Sequence, residues 1–541
     1  MAVVDSIPVP FAPLTRPSSN VHAEASFILD PKEKTYRHQY SNIYFMRLHT
    51  LRKYVEERAK KRWNEVAGDP IFVPRVLDVE KGQLCFIVGT VYMDMPLKPN
   101  VLEDVARDRS IPAPPPREKF YSDDDSVMLE DESGRICLVG ERIRSACLVT
   151  GVILGALGVE THNGDFEVVD LCYPGMAPQP SAGLGLGWPA PRSSDSMDVD
   201  DASSSRSSPS DEWIALVSGL EIGSSNAADG QIQMLAEYLT AEAGGSEEQA
   251  QAARISRLII AGNSLGTLTG NTGALNGESE RKPRRYGHDT SSFTPHPTQN
   301  LAAYLTDVCR SMPVHLLPGA SDPAATILPQ QPLPRAMFGG ASHFATFACE
   351  SNPAYIQLSP SDSSSAPSAS SSRPSQPGAS SSKAKAKNGT SVKAESGPGT
   401  GPSRTILVNS GQPVDDMFKY VPTPPISRMT LAEATLRWRH MAPTAPDTLW
   451  CHPYMKRDPF VLTQTPDVYV VGNQPAFATR LVRDEERDAE DEEGEGGKRC
   501  RIVLLPSFRE TGTLVLVNLR TLAVRKVQFA VEGMNAGGGE T

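Results

Sequence analysis

Side chains that could do chemistry gather in this chain at four glycine turns. They read Val217-Ser218-Gly219-Leu220-Glu221-Ile222-Gly223, Ala261-Gly262-Asn263-Ser264-Leu265-Gly266, Pro318-Gly319-Ala320-Ser321-Asp322 and Val471-Gly472-Asn473-Gln474-Pro475. Carboxylate and imidazole groups at such turns are the donors that hold divalent metals and activate water. Such donors are few here. Glu221, Asp322 and, further along, His440 could coordinate a cation. Asn263 and Asn473 carry no charge, and Ser321 is a weak proton donor beside a histidine. Ser342-His343 hints at nucleophilic catalysis, but no Gly-x-Ser-x-Gly elbow accompanies it. His440 and Asp447 could be catalytic. A rigid turn built by Pro443, Pro446 and Asp447, with the aspartate closing on backbone amides, fits the local sequence better.

Each turn follows an apolar run: Ile214 to Val217, Leu258 to Ile260, Val314 to Leu317, and Val468 to Val471. That pattern predicts buried strands ending in tight turns. In open α/β sheets ligands bind where such strands end. Helical stretches over Gln231 to Thr240 and Thr298 to Arg310 alternate with the strands, which predicts a layered α/β fold from about Trp213 onward.

Upstream, Tyr40, Tyr44, Leu48, Leu51 and Val55 recur at helical spacing and predict a helix over about Thr35 to Glu65. Lys53, Arg58, Lys60, Lys61 and Arg62 crowd its end, where cations suit the helix dipole. Strand-like runs follow at Leu84 to Met93, Val127 to Leu129, Arg135 to Val139, Leu148 to Leu157 and Phe166 to Leu171. Five short strands with interspersed glycines suit an oligonucleotide-binding-type barrel. Residues 71–175 hold 18 acids against 10 Lys plus Arg, a net of −8, which disfavours nucleic acid and favours a protein contact.

The 541-residue chain has room for two or three domains and a net charge of −11. Its eight cysteines form no Cys-x-x-Cys pair, which argues against a zinc ribbon and for a reduced, intracellular setting. No signal peptide and no membrane span are expected. The expected organisation is a flexible tail over 1–30, a helix in 31–70, the barrel over 71–177, a linker over 178–210, the α/β domain over 211–358 and 404–530, and a tail over 531–541. Residues 359–403, almost entirely Ser, Pro, Ala, Gly and Lys, read as a disordered insert. Residues 484–497 hold nine acids and read as a solvated loop. The clusters Arg281-Lys282-Pro283-Arg284-Arg285 and Lys383 to Lys387 suit either import signals or plain solvated loops.

Several segments resemble the B-subunits of the replicative DNA polymerases, in their delta branch and of a fungal kind. Arg439-His440-Met441-Ala442-Pro443-Thr444-Ala445-Pro446-Asp447-Thr448-Leu449, with Cys451 and Pro453 after it, is similar to that family's hallmark segment. Leu328-Pro329-Gln330-Gln331-Pro332-Leu333 and Val468 to Pro475 resemble two further blocks. Met95 to Pro99 and Leu129 to Glu132 fit in the barrel. The resemblance implies an oligonucleotide-binding barrel followed by a calcineurin-like phosphoesterase domain, inactive in eukaryotic members. By motif alignment, Gly219 and Glu221 stand where a working enzyme has Asp-x-His, and Asn263 replaces the bridging Asp. Ala320 and Ser321 replace Asn and His, and Asn473 and Pro475 replace the final pair of His. The resemblance therefore implies no catalytic site, no metal and no cofactor. It implies a nuclear scaffold bridging the catalytic subunit of DNA polymerase delta, through its C-terminal cysteine-rich domain, to a third accessory subunit. DNA would be touched only indirectly or weakly, and no membrane is involved. An active metal-dependent phosphoesterase or nuclease with displaced ligands, and an independent single-strand-binding protein, are the alternatives.

Overall fold

A computed structural model describes residues 16–24, 27–30, 40–64, 70–99, 117–181, 212–224, 228–266, 296–360, 403–484 and 497–530. The described residues begin with strand β1 (Ser19–Glu24) and helix α1 (Ser41–Trp63). Ile43, Leu51, Val55, Ala59 and Trp63 repeat every four to eight residues and bury one stripe of α1. Lys60, Lys61 and Arg62 occupy its last turn, where free carbonyls favour cations. Thr35 to Tyr40 precede the helix; of these, 35–39 lie outside the described residues.

The barrel comprises β2 (Ile71–Phe72), β3 (Leu84–Asp94), β4 (Ser126–Glu130), β5 (Arg135–Val139), helix α2 (Glu141–Ser145), β6 (Ile153–Glu160) and β7 (Phe166–Cys172). The order is β2-β3-β4-β5-β7-β6, and pairing of β3 with β6 closes it. The run expected from Leu148 starts its strand only at Ile153, because Thr150 and Gly151 form a turn with Gly151 at φ 91°. Helix α1 lies across β3 and β6, where Gly155 leaves room for the Val55 side chain.

The α/β domain runs through β8 (Trp213–Val217), α3 (Asp229–Thr240), α4 (Ser246–Ala252), β9 (Ile255–Ala261), α5 (His296–Ser311), β10 (Val314–Leu317), β11 (Phe347–Cys349), β12 (Ala354–Pro360) and β13 (Arg404–Asn409). It continues with α6 (Gln412–Met417), α7 (Arg428–Arg437), β14 (Val468–Gln474), β15 (Ala478–Arg483), β16 (Arg499–Pro506), β17 (Thr513–Asn518) and β18 (Val524–Gln528). One sheet has the order β11-β10-β9-β8-β17-β18, the other β1-β12-β13-β14-β16-β15. Strand alternation explains how they stack. In β8, Ile214 and Leu216 face the inter-sheet core with Ile356, Val408, Val470 and Val503, while Ala215 and Val217 face the helix layer with Leu235, Leu301 and Leu305. Both faces are covered, so the strands read as continuous apolar runs. The outer face of the second sheet (Leu407, Tyr469, Ile502) shares one core with α7 and with barrel residues such as Leu129 and Phe166.

Two expected segments differ. Within the stretch expected as a 1–30 tail, Ser19–Glu24 pair antiparallel with β12, and Phe27 and Leu29 are buried. Arg16 adds hydrogen bonds to the carbonyls of Ala252 (2.8 Å), Ile255 (2.9 Å) and Leu239. An extended edge strand gains its stability from pairing with a distant partner, and such pairing leaves a weak local signal. The expected linker at 178–210 begins with ordered residues: Gln179 donates to the Arg499 carbonyl at 2.7 Å and Ser181 to Asp467 at 2.8 Å. Residues 1–15, 182–211, 361–402, 485–496 and 531–541, and both basic clusters, lie outside the described residues.

Candidate functional site

The four glycine turns converge at the ends of β8, β9, β10 and β14. Gly219 (φ 65°) donates to the Gly262 carbonyl at 3.0 Å, and Glu221 donates its amide to the Asn263 carbonyl at 3.0 Å. Glu221, Asn263 and Asn473 all take positive φ, at 44°, 55° and 53°. Asparagine tolerates that region, whereas for glutamate it is uncommon. Gly472 is required by packing: a Cβ there would sit 2.3 Å from the Ala261 carbonyl oxygen. The turns are thus drawn together, and their side chains bond mainly to neighbouring backbone, while the buried Asn473 Oδ1 has no hydrogen-bond partner.

Asn473 donates its backbone amide to Ser218 Oγ at 2.9 Å and its side-chain amide to the Ser410 carbonyl at 2.9 Å. The Asn263 carbonyl oxygen Oδ1 accepts from the Ser321 amide at 3.1 Å, and Ser321 Oγ donates to the Leu265 carbonyl at 2.6 Å. Glu221 pairs with Arg509 at 2.9 Å. Ala320 and Pro475 are exposed and carry no donor side chain. Asp322, buried, accepts from the amides of Leu265 and Gly319 at 2.8 Å and Ser264 at 3.2 Å. Burial pushes its carboxyl up to about 6, against the pull of those backbone amides. Its oxygens are engaged in shaping the turn. Beside it, Asn352 donates to Gln330 Oε1 at 2.7 Å and to Ser410 Oγ at 2.6 Å, and Gln412 donates to Gln330 Oε1 at 3.1 Å. A neutral amide network therefore knits these strand ends. No group of three or more His, Cys, Asp and Glu suited to a metal occurs among the described residues.

His440 is not part of this constellation. It lies buried at the junction of α1, the barrel and the α/β domain, with Nε2 2.8 Å from Asp458. Its Nδ1 accepts from the Ala442 amide at 3.2 Å, so Nε2 carries the proton and the ring is neutral. Burial, with the Arg47 cation adding, lowers it to about 4. Burial alone would raise Asp458, but His440 and Arg47 hold its carboxyl well below the usual range. Arg47 donates to Asp458 at 2.7 Å and to the carbonyls of Gly151 (3.2 Å), Pro443 (2.7 Å) and Ala445 (2.6 Å). One guanidinium thus ties helix, barrel and hallmark segment together.

Asp447 also differs from its expected role. It takes Lys98 of the barrel at 2.5 Å and the Tyr420 hydroxyl at 3.2 Å, and so links the two domains through side chains. Sequence reading missed Arg47 and Asp458. Arg47 lies within the apolar stripe of α1 at Ile43 plus four, the one signal that a charge there would be buried.

The comparisons agree with this architecture. Residues 39–171 match the family described as DNA polymerase delta subunit OB-fold domain, and residues 214–363 and 358–479 match the B-subunit family of DNA polymerases alpha and epsilon. The chain is 33% identical to a DNA polymerase delta small subunit of Arabidopsis thaliana, over 93% of each chain. It is 33% identical to that of Oryza sativa subsp. japonica over 92% of this chain and 94% of the relative. The Saccharomyces cerevisiae small subunit is 32% identical over 93% of this chain and 92% of its own length. The chain belongs to the DNA polymerase delta small-subunit family: an OB-fold domain followed by a B-subunit α/β domain of the inactive phosphoesterase kind, in a non-catalytic subunit of a replicative polymerase.

Proposed function

We propose that this chain is a rigid scaffold of DNA polymerase delta. It joins the catalytic subunit, through that subunit's C-terminal cysteine-rich domain, to a third accessory subunit, and it works in the nucleus. The observation that carries the reading is the closure of the strand-end constellation. Gly219, Glu221, Asn263, Ala320, Ser321, Asn473 and Pro475 are in this reading former metal positions. Asn263, Ser321 and Asn473 are now turned onto neighbouring backbone, and Glu221 onto Arg509. Two metals need bridging negative charge and imidazole donors, which such a set does not offer. A large α/β core without its chemistry serves through its surfaces, and obligate interfaces commonly bury about 2,000 Å² or more. A fungal source belongs to the same reading. A yeast relative at 32% is compatible with it, and plant relatives at 33% do not set it apart.

The test is hydrolysis of bis-nitrophenyl phosphate and single-stranded DNA by the purified chain with Mn²⁺ or Mg²⁺, beside a known phosphoesterase. Background rates are expected. Metal-dependent turnover abolished by Glu221→Ala or Asp322→Ala would contradict the reading.

A further inference from the structure

A buried polar cluster ties the two sheets together at one edge. Strand alternation turns Arg257 of β9 and His315 of β10 towards the other sheet, on the side where Ile259 and Leu317 join the inter-sheet core. Both are buried, at 1% and 3% exposure. The Arg257 guanidinium has two engagements. Its Nη1 lies 2.6 Å from His315 Nε2, and its Nη2 donates to the Ser19 carbonyl at 3.0 Å and to Ser19 Oγ at 2.8 Å. Ser19 opens β1, the edge strand of the second sheet, whose strand partner among the described residues is β12 alone. Arginine has donors and no acceptor, so His315 Nε2 must accept. Nδ1 then carries the single ring proton and donates to Glu350 Oε1 at 2.8 Å. The ring is neutral in this arrangement.

We propose that this cluster is a proton-operated latch on the N-terminal strand. A proton on His315 Nε2 turns the acceptor into a donor and sets two cations against each other. The guanidinium is planar and rigid, so moving Nη1 away from the ring also moves Nη2 away from Ser19. Strand β1 then loses its tie to the first sheet and peels from the edge. Two charged groups face His315 among the described residues: Arg257 from β9 and Glu350 from the segment after β11. Glu212, just before β8, is the other charge acting on Arg257. Burial lowers the affinity of the His315 ring for a proton, the Glu350 hydrogen bond opposes that, and the Arg257 charge adds to it. Arg257, lowered by burial to about 10, stays a cation throughout. A ring freed from these contacts takes its proton at the ordinary value of about 6.5, so the latch is closed above that pH and weakens as pH falls below it. The latch is independent of how the chain joins the polymerase.

Hydrogen exchange of the full chain, followed by mass spectrometry with exposure times scaled to the intrinsic rate at each pH, tests it. From pH 7.5 to 5.5 the protection of residues 19–24 should fall about tenfold, as uptake of one proton near 6.5 requires. Residues 213–217 of β8 should keep theirs. His315→Gln supplies an oxygen for Arg257 and an amide for Glu350 without a titrating group, and should hold 19–24 at constant protection. Arg257→Gln removes the opposing cation and should flatten the pH dependence at lower protection overall. His440→Gln leaves the latch intact and should retain the fall. Protection of 19–24 that does not change with pH, or that falls equally in β8, would overturn the proposal. So would a fall that survives in His315→Gln or Arg257→Gln, or one that disappears in His440→Gln.

Discussion

Arg47 and Asp458 meet at 2.7 Å with both side chains wholly buried, although 411 residues separate them along the chain. The same guanidinium reaches three carbonyls on two other elements. Opening this contact would expose the shared core of barrel and α/β domain, so it fixes how the two domains sit together.

Arg47→Met should therefore destabilise the protein by about 3–5 kcal/mol, because it leaves an uncompensated buried carboxylate. Chemical denaturation measures this. Arg47→Met/Asp458→Asn should recover part of the loss, since the stranded charge is then gone. Hydrogen exchange in the single variant should quicken at the amides of Gly151, Thr444 and Ala445, beside the carbonyls that lose their donor.

His440 supplies a pH signature. Its folded value, lowered to about 4, lies below the ordinary 6.5 of the unfolded chain. Between those values the unfolded chain binds a proton that the folded one refuses, so this contribution is complete above pH 6.5 and is lost as pH falls towards 4. The stability advantage of the wild type over His440→Gln should shrink across that window by about 3 kcal/mol. A difference independent of pH between 6.5 and 4 would show that the imidazole is not held neutral by burial.

The N-terminal strand is expected to be a structural member. Removing residues 1–24 deletes β1, the Arg16 contacts and the two bonds from Arg257 to Ser19, at 3.0 and 2.8 Å. The melting temperature should fall by more than about 5 °C. An unchanged value would mean that β12 is stable as an edge without its partner.

The serine-rich insert should behave oppositely. It leaves the fold from β12 and returns in β13, which pair antiparallel with Leu358 opposite Arg404. Its two ends are adjacent, and closure entropy grows only slowly with loop length. Replacing 361–402 by a short Gly-Ser linker should change the melting temperature by less than about 5 °C, measured by calorimetry.

Much of this architecture was legible in the sequence, for physical reasons. Ile214 to Val217 and Leu258 to Ile260 are buried on both faces, so they stand out as apolar runs without help from any partner. The turns after them were legible because Gly219, Gly262 and Gly472 sit where the backbone turns sharply or packs tightly. Strand β1 and the Arg47 contacts were not, since each depends on groups more than 100 residues away. Asp447 was misread as a turn-closing group because Lys98, its partner, lies in the other domain. At the candidate site the positions of the side chains were legible, and their bonding to neighbouring backbone and to Arg509 was not. Gln330 and Asn352 have ordinary neighbours in sequence and meet only when the sheets are stacked.

The central claim is that this chain serves the polymerase as a scaffold, and the most direct measurement is assembly. The chain should be co-expressed with the C-terminal cysteine-rich region of a DNA polymerase delta catalytic subunit and resolved by size-exclusion chromatography with light scattering. The account predicts a single peak with the mass of a one-to-one complex, stable at nanomolar protein and retained in Glu221→Ala and Asp322→Asn variants. Separate elution of the two chains at micromolar concentration would contradict it.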